Sequence, residues 1–318
     1  MTKISITELD YSLHLRKWFF VNNFPEADIA FLNSLDALGQ VEPILIYQGD
    51  KKYLLDGVKR VIFAKGQNQE EVPALIINTD SNLDLIIFIF TKSKDWVLNS
   101  AINKIRFIGL AQTLKIEKKT IVEQLFPLIG FEPYHKLFDQ CLAIFNLNEA
   151  CQKFCFAKSL SFKQCLILSS YDASVIEQIL IWQDMLNLSL SITFEFLDSV
   201  NDILKRDNIL IQNLSNYLGL NNIFQDQILE KTEKAAFLRR LIQEKRSPTL
   251  YPLVKEIENL VNSLKFSPKV QIIWDKTLEK KELAVSFKIE ENTDLSEIGK
   301  IFKDQKNQDK IKTILDKF

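Results

Sequence analysis

The sequence predicts an α+β multidomain chain: an α/β segment over 1–95, an all-α block over 96–207 and a small α+β unit over 221–318. Three observations carry this. Short apolar runs with strand-like alternation crowd the first part of the chain and return only after residue 270. Between them, apolar residues recur every three or four positions, and short polar breaks separate the runs. The length, 318 residues, leaves room for more than one core at roughly 150 residues per domain.

Each element follows in order. Residues 3–9 alternate, with Ile4 and Ile6 on one face of a strand. Over 25–38, Ile29, Leu32, Leu35 and Leu38 recur at three-residue steps and Gly39 stands as a helix stop. Residues 43–47 and 52–55 read as a hairpin turned at Gly49-Asp50, and Asp56-Gly57 leads into a helix over 58–65. The runs 72–77 and 83–90 are expected as two more strands, the second buried on both faces. Helices are predicted over 96–114, 117–128, 134–145, 148–157, 161–169, 174–187 and 191–205. The last part predicts helices over 225–245 and 251–264, a hairpin from 270–274 and 283–289, and a Lys-rich helix over 295–318.

Composition narrows the function. Forty basic against 41 acidic side chains give a formal net charge of −1, which excludes gripping a polyanion by bulk charge. A hydrophobic share of 47% excludes a disordered chain, and 8 Gly with 8 Pro exclude a low-complexity one. The longest apolar run, 85–90, is far short of a membrane span, so no membrane partner is expected. Glu8 and Asp10 make the start unlike a signal peptide. Cys141, Cys151, Cys155 and Cys165 contain no CxxC and suit a reducing cytoplasm better than a disulfide scaffold.

Three stretches carry a family resemblance: Leu38-Gly-Gln-Val-Glu-Pro-Ile-Leu-Ile46, Tyr53-Leu-Leu-Asp-Gly-Val-Lys-Arg60 and Val72-Pro-Ala-Leu75. With the helical block behind them, including Leu147-Asn-Glu-Ala150 and Leu188-Ser-Leu-Ser-Ile-Thr193, they resemble ParB-type partition proteins over roughly residues 1–205. The resemblance implies a ParB/sulfiredoxin-like N-terminal domain followed by a degenerate helix-turn-helix. It implies CTP and magnesium as cofactors, double-stranded DNA as partner, and a homodimer through the C-terminal unit. That unit, however, shares no quotable motif with the family. Sulfiredoxin chemistry is excluded, because residues 1–140 contain no cysteine.

Carried over residue by residue, the resemblance yields a nucleotide-binding set. Gly57, Lys59 and Arg60 stand where the family's "GERRxRA" phosphate motif is expected, with Val58 replacing its glutamate and Ile62 its last arginine. Glycine lets the backbone approach a ligand closely, a helix start offers free N–H groups, and two bases supply charge. Glu42 takes the place of the usual glutamine, where a carboxylate repels phosphates but can accept a hydrogen bond from a base or hold a cation. Asn103 and Arg106 match the "ENxQR" helix, whose magnesium-linked glutamate is Ile102 here. Without that carboxylate, CTP hydrolysis is expected to be weak or absent, and no catalytic residue is assigned.

The DNA-binding set comprises Lys115, Lys118 and Lys119, a local basic patch, with Tyr134, His135, Lys136 and Gln140 at the start of a recognition helix. Against it, residues 96–205 hold ten bases and eleven acids. Cys151 and Cys155 share a helix face but have no histidine cluster beside them, so no metal site is expected. The alternative function is a non-catalytic interaction protein that kept the fold without reading DNA or turning over nucleotide. In the C-terminal unit, Leu229, Ala236 and Leu241, and Leu253, Ile257, Leu260 and Leu264, form apolar stripes that suit either an internal core or a second copy.

Overall fold

A computed structural model describes residues 2–21, 33–35, 37, 40, 42–220, 224, 228–264, 270–290, 299–300 and 302–318. Contacts divide the chain into two compact units, Met1–Glu177 and Gln178–Phe318, where the sequence suggests three.

The first unit is built on a five-stranded mixed sheet in the order β1-β5-β3-β4-β2. Its strands are β1 (Thr2–Ser5), β2 (Leu9–Asp10), β3 (Ile44–Gln48), β4 (Lys52–Asp56) and β5 (Glu71–Ile77). A short helix α1 (Leu15–Trp18) follows β2, and α2 (Val58–Gly66) follows β4. Period-two alternation sends Ile44 and Ile46 of β3 into a core with Ile4, Leu54, Val72 and Ala74, which Val61 and Ala64 of α2 cap. The expected helix over 25–38 lies mostly outside the described residues, although 33–35 and 37 are helical.

The expected strand over 83–90 is instead helix α3, Asn82–Leu98. Ser81 caps it by accepting the Asp84 N–H at 3.1 Å. Leu85, Ile86, Ile89, Phe90 and Val97 are buried at helical spacing, while Ile87 between them is exposed. Helix α4 (Ala101–Thr113) follows after a break at Asn99–Ser100, so the predicted 96–114 helix is two helices.

Residues Lys118–Thr120, Ile121–Leu125 and Phe126–Leu128 run on as α5, wound as a π-helix in the middle ahead of Pro127. Gly130, at φ +72, ends it. Helix α6 (His135–Phe145) then packs on α4 at Gly109, where a Cβ would lie 2.4 Å from the Phe145 ring. Helices α7 (Glu149–Ala157) and α8 (Phe162–Leu168) complete this unit before α9 (Ala173–Leu186), within which the division falls.

The second unit contains α10 (Leu190–Asp207), α11 (Leu214–Leu218), α12 (Lys231–Arg246), α13 (Leu250–Ser263), the antiparallel hairpin β6 (Val270–Trp274) and β7 (Leu283–Phe287), and α14 (Gln305–Leu315). The stripe expected on α12 is shifted: Leu238 and Ile242 are buried, whereas Ala236 is exposed. The α13 stripe is internal, with Ile257 and Leu264 packed with Ile314, Leu253, Leu260 and Trp274. Two exposed arginines of α12 pair with acids of α10. Arg239 donates to both oxygens of Glu195 at 2.8 and 2.7 Å, and Arg246 pairs with Asp202 at 2.6 Å. Those pairs explain why α10, placed in the helical block from sequence, belongs with the C-terminal part.

Candidate functional site

The site begins at the β4–α2 turn. Gly57 caps α2 in the left-handed region at φ +102, where a Cβ would sit 2.8 Å from Ile44 Cγ2. Only glycine meets both conditions, and the turn it allows swings the first turn of α2 over the end of β3. A cavity of about 200 Å³ opens there, lined by Arg16, Asp56, Gly57, Val58, Lys59 and Arg60. Arg60 also borders a second cleft of about 310 Å³, lined by Leu35, Gln40, Phe63, Ala64, Gln67 and Gln69.

Glu42 meets this site directly, because its carboxylate accepts a hydrogen bond from Arg60 Nη2. The arginine is largely covered and Glu42 is largely exposed, so the pair sits at the rim and is screened by water. Arg60 Nη1 also reaches the Pro43 carbonyl at 3.5 Å, a weak contact. The structure thus brings together Glu42, Gly57, Lys59 and Arg60.

Asn103 and Arg106 stand apart from them. Asn103 is fully buried: its Oδ1 accepts the Phe20 N–H at 2.9 Å, and its Nδ2 donates to the carbonyls of Phe20 and Trp96 at 2.7 and 2.8 Å. Arg106 is buried with its guanidinium 4.4 Å from the Phe20 ring centroid. It donates to the carbonyl oxygens of Trp18 and, at 2.7 Å, Lys17, and to Gln152 Oε1. Both side chains use their polar atoms inside the protein, fastening the last residues of α1 and Phe20 just after it. They do not line the cavity.

Helix α1 itself supplies a residue that no sequence motif singles out. Arg16 of α1 enters the cavity with its guanidinium 6.0 Å from the Trp96 ring centroid. Burial lowers its pKa, and the nearby Asp56 opposes the shift. His14 caps α1 by accepting the Arg16 N–H at 3.3 Å. Burial, with a smaller push from Arg16, holds His14 down at about 4, so it is neutral at pH 7; Asp56 acts the other way. Only a long-range contact between the α1 segment and β4 makes this corner, and no local spacing encodes it.

At the position the resemblance links to magnesium, no donor stands for a divalent cation. Ile102, where the resemblance expects the magnesium-linked glutamate, is buried in the core. Among the described residues no three His, Cys, Asp or Glu groups converge as ligands. Burial also pushes the Cys141 and Cys151 thiols up, to about 12 and about 11, which makes them poor thiolate ligands.

The expected DNA-binding residues lie on the α4–α6 side of the same unit. Lys115, Lys118 and Lys119 are exposed, as are Tyr134, His135 and Lys136 at the start of α6, whereas Gln140 is half-buried. Lys118 pairs with Asp139 of α6 at 2.7 Å and lies 5.1 Å from the Phe138 ring centroid. One of the three lysines therefore already has a carboxylate partner.

No family model matches the chain, and no curated protein matches it. Among solved structures, the chain is similar to the C-terminally truncated chromosome-partitioning protein ParB from Caulobacter crescentus. In its complex with CTP-γ-S, the match has 17% identity over 54% of this chain and 93% of that chain, with a TM-score of 0.23. In its complex with the centromeric parS site, the match has 15% identity over 62% and 97% of the two chains, with a TM-score of 0.28. Among the described residues no single helix is long and apolar enough to cross a membrane.

Proposed function

We propose that the chain is a ParB-like DNA-binding protein, of chromosome or plasmid partition or of transcriptional regulation, whose N-terminal sheet accepts a phosphate-bearing nucleotide without efficient hydrolysis. The observation that carries this is the Gly57 turn, which opens onto a cavity bordered by Lys59 and Arg60. CTP is the nucleotide the sequence resemblance implies. A cavity of about 200 Å³ accommodates its phosphates but not the whole molecule, since ligand pockets of that class run to about 300–1,000 Å³. The nucleoside then falls to the adjoining cleft across Arg60, where Phe63 and Gln67 offer an aromatic face and an amide.

Turnover is expected to be weak or absent, because Ile102 takes the place of the magnesium-linked glutamate and Asp56 is the single carboxylate in the cavity lining. Mixing the protein with CTP, magnesium and duplex DNA and measuring released phosphate tests this; sustained DNA-stimulated release would refute it. Glu42 occupies Arg60, so Glu42→Gln is expected to tighten CTP binding several-fold in calorimetry.

DNA binding is assigned to Lys115, Lys119, Tyr134, His135 and Lys136, with Lys118 freed only when Asp139 yields. Lys119→Ala is expected to weaken duplex binding evenly across sequences and to reduce the salt slope by about one unit in gel shifts. A homodimer through the C-terminal unit belongs to the same proposal, supported by Ile273 and Phe287, which the hairpin leaves exposed. The Arg60–Glu42 and Lys118–Asp139 pairs favour the second reading, a non-catalytic interaction protein. Duplex binding with no salt dependence, or none at all, would select it.

A further inference from the structure

We propose that the second unit holds a small-molecule site of its own, a cleft between α10, α12 and α13 that takes an organic anion with an apolar body. Two adjoining cavities form it, of about 560 Å³ and about 440 Å³, and Arg239, Gln243, Tyr251 and Lys255 border both. Each lies within the range of roughly 300–1,000 Å³ that small-molecule pockets occupy. None of the nucleotide- or DNA-binding residues assigned above lines either cavity.

The 440 Å³ cavity supplies the apolar part. Leu186 and Leu188, both buried, border it with Ile192, and Ala235 and Ala236 of α12 face the same space with short side chains. Its lining holds no carboxylate. The 560 Å³ cavity supplies the charge. There Arg239 is matched by Glu195, and Arg246 by Asp202. Lys255 and Lys276 instead share one carboxylate, Glu258, at 3.1 and 2.8 Å, so two positive charges meet one negative charge. A carboxylate or sulfonate entering that end balances the surplus. The rest of the molecule then runs past the Tyr251 ring, which borders both cavities, onto the leucines. Both lysines are exposed and screened by water, so the apolar body carries most of the affinity and the acid group sets its direction. A phosphate backbone fits poorly, since it offers no apolar body and meets Glu195 and Glu258 in the lining.

The test titrates the full chain with anilinonaphthalene sulfonate, an aromatic monoanion whose emission rises in apolar surroundings, at low fixed salt. Saturable one-to-one binding is expected, with displacement by decanoate if the cleft suits a flexible chain and by naphthoate if it suits a planar ring. Ala236→Trp, which fills the apolar cavity from an exposed helix position, is expected to weaken binding by about tenfold or more. Lys276→Ala is expected to weaken it by about two- to fivefold, the scale of one exposed charge, and Glu258→Gln to strengthen it by a similar factor. Absence of saturable binding, or displacement by neither acid, would overturn the proposal. Equal binding by Ala236→Trp and wild type would place the probe elsewhere and overturn it as well. If Ala236→Trp does not fold, Lys276→Ala and Glu258→Gln decide, and the same affinity in both variants as in the wild type refutes the site.

Discussion

Lys59 and Arg60 on α2, and Asn103 and Arg106 on α4, offer much the same chemistry within a single unit. On α2 the side chains border a cavity that begins at a glycine no other residue can replace. On α4 every polar atom of Asn103 is committed to main-chain or side-chain partners, and the Arg106 guanidinium is enclosed between Phe20 and Gln152. Each pair includes an arginine; what differs is that the α2 pair borders a cavity, whereas the donors of the α4 pair are enclosed by another segment of the chain. Asn103 and Arg106 met the end of α1 and the residues after it, so on this face the polar atoms serve as an internal clamp.

The strongest way to break this contrast is Arg106→Ala. It leaves the carbonyls of Lys17 and Trp18 and the Gln152 amide without their donor in a buried place. A loss of about 3 kcal/mol is expected, and equilibrium urea unfolding measures it. Lys59→Ala is expected to change stability by about 1 kcal/mol or less in the same assay, because Lys59 is only half-buried on the first turn of α2.

Acid should unfasten the same corner from the other side. The pKa of His14 is held at about 4 in the fold against 6.5 ordinarily, chiefly by burial. As pH falls the unfolded chain takes up the proton first, so the contribution is complete above pH 6.5 and is lost progressively down to about 4. The linkage amounts to roughly 3 kcal/mol at most. His14→Asn keeps a capping acceptor without the titration, and its unfolding midpoint is expected to fall less between pH 7 and 4.5.

A smaller effect sharpens the α2 side. Gly57→Ala combines a left-handed backbone with a Cβ 2.8 Å from Ile44 and is expected to cost about 1–3 kcal/mol. Thermal unfolding measures that cost. Any phosphate affinity of the site should fall with it, since the displaced turn carries Lys59 and Arg60.

Much of the fold was legible in the sequence where a local pattern settles the matter. The 43–47 and 52–55 strands alternate, Gly57 announces the turn, and both are found where expected. The 83–90 segment misled because Ile86, Ile87 and Ile89 are β-branched and the run is short and apolar. The Ser81 cap and the exposed Ile87, which belong to a helix of Asn82–Leu98, speak only when the window is widened past Phe90. The grouping of residues at the candidate site was legible in half. Gly57, Lys59 and Arg60 are contiguous and were visible together, whereas Arg16 reaches them through tertiary contact, and the commitment of Asn103 to Phe20 is equally non-local. The shift of the α12 stripe to Leu238 and Ile242 has the same origin, since α10 chose which face was covered.

The missing methyl at Gly109 has a wider mechanical meaning. Helix α4 clamps the end of α1 and the residues after it through Asn103 and Arg106 and, at Gly109, seats the ring of Phe145 from the end of α6. Phe145 in turn stacks on Trp18, with centroids 6.2 Å apart. One rigid beam thus braces both the corner where Arg16 sits and the helix that begins at His135, and neither can be reseated without disturbing the other.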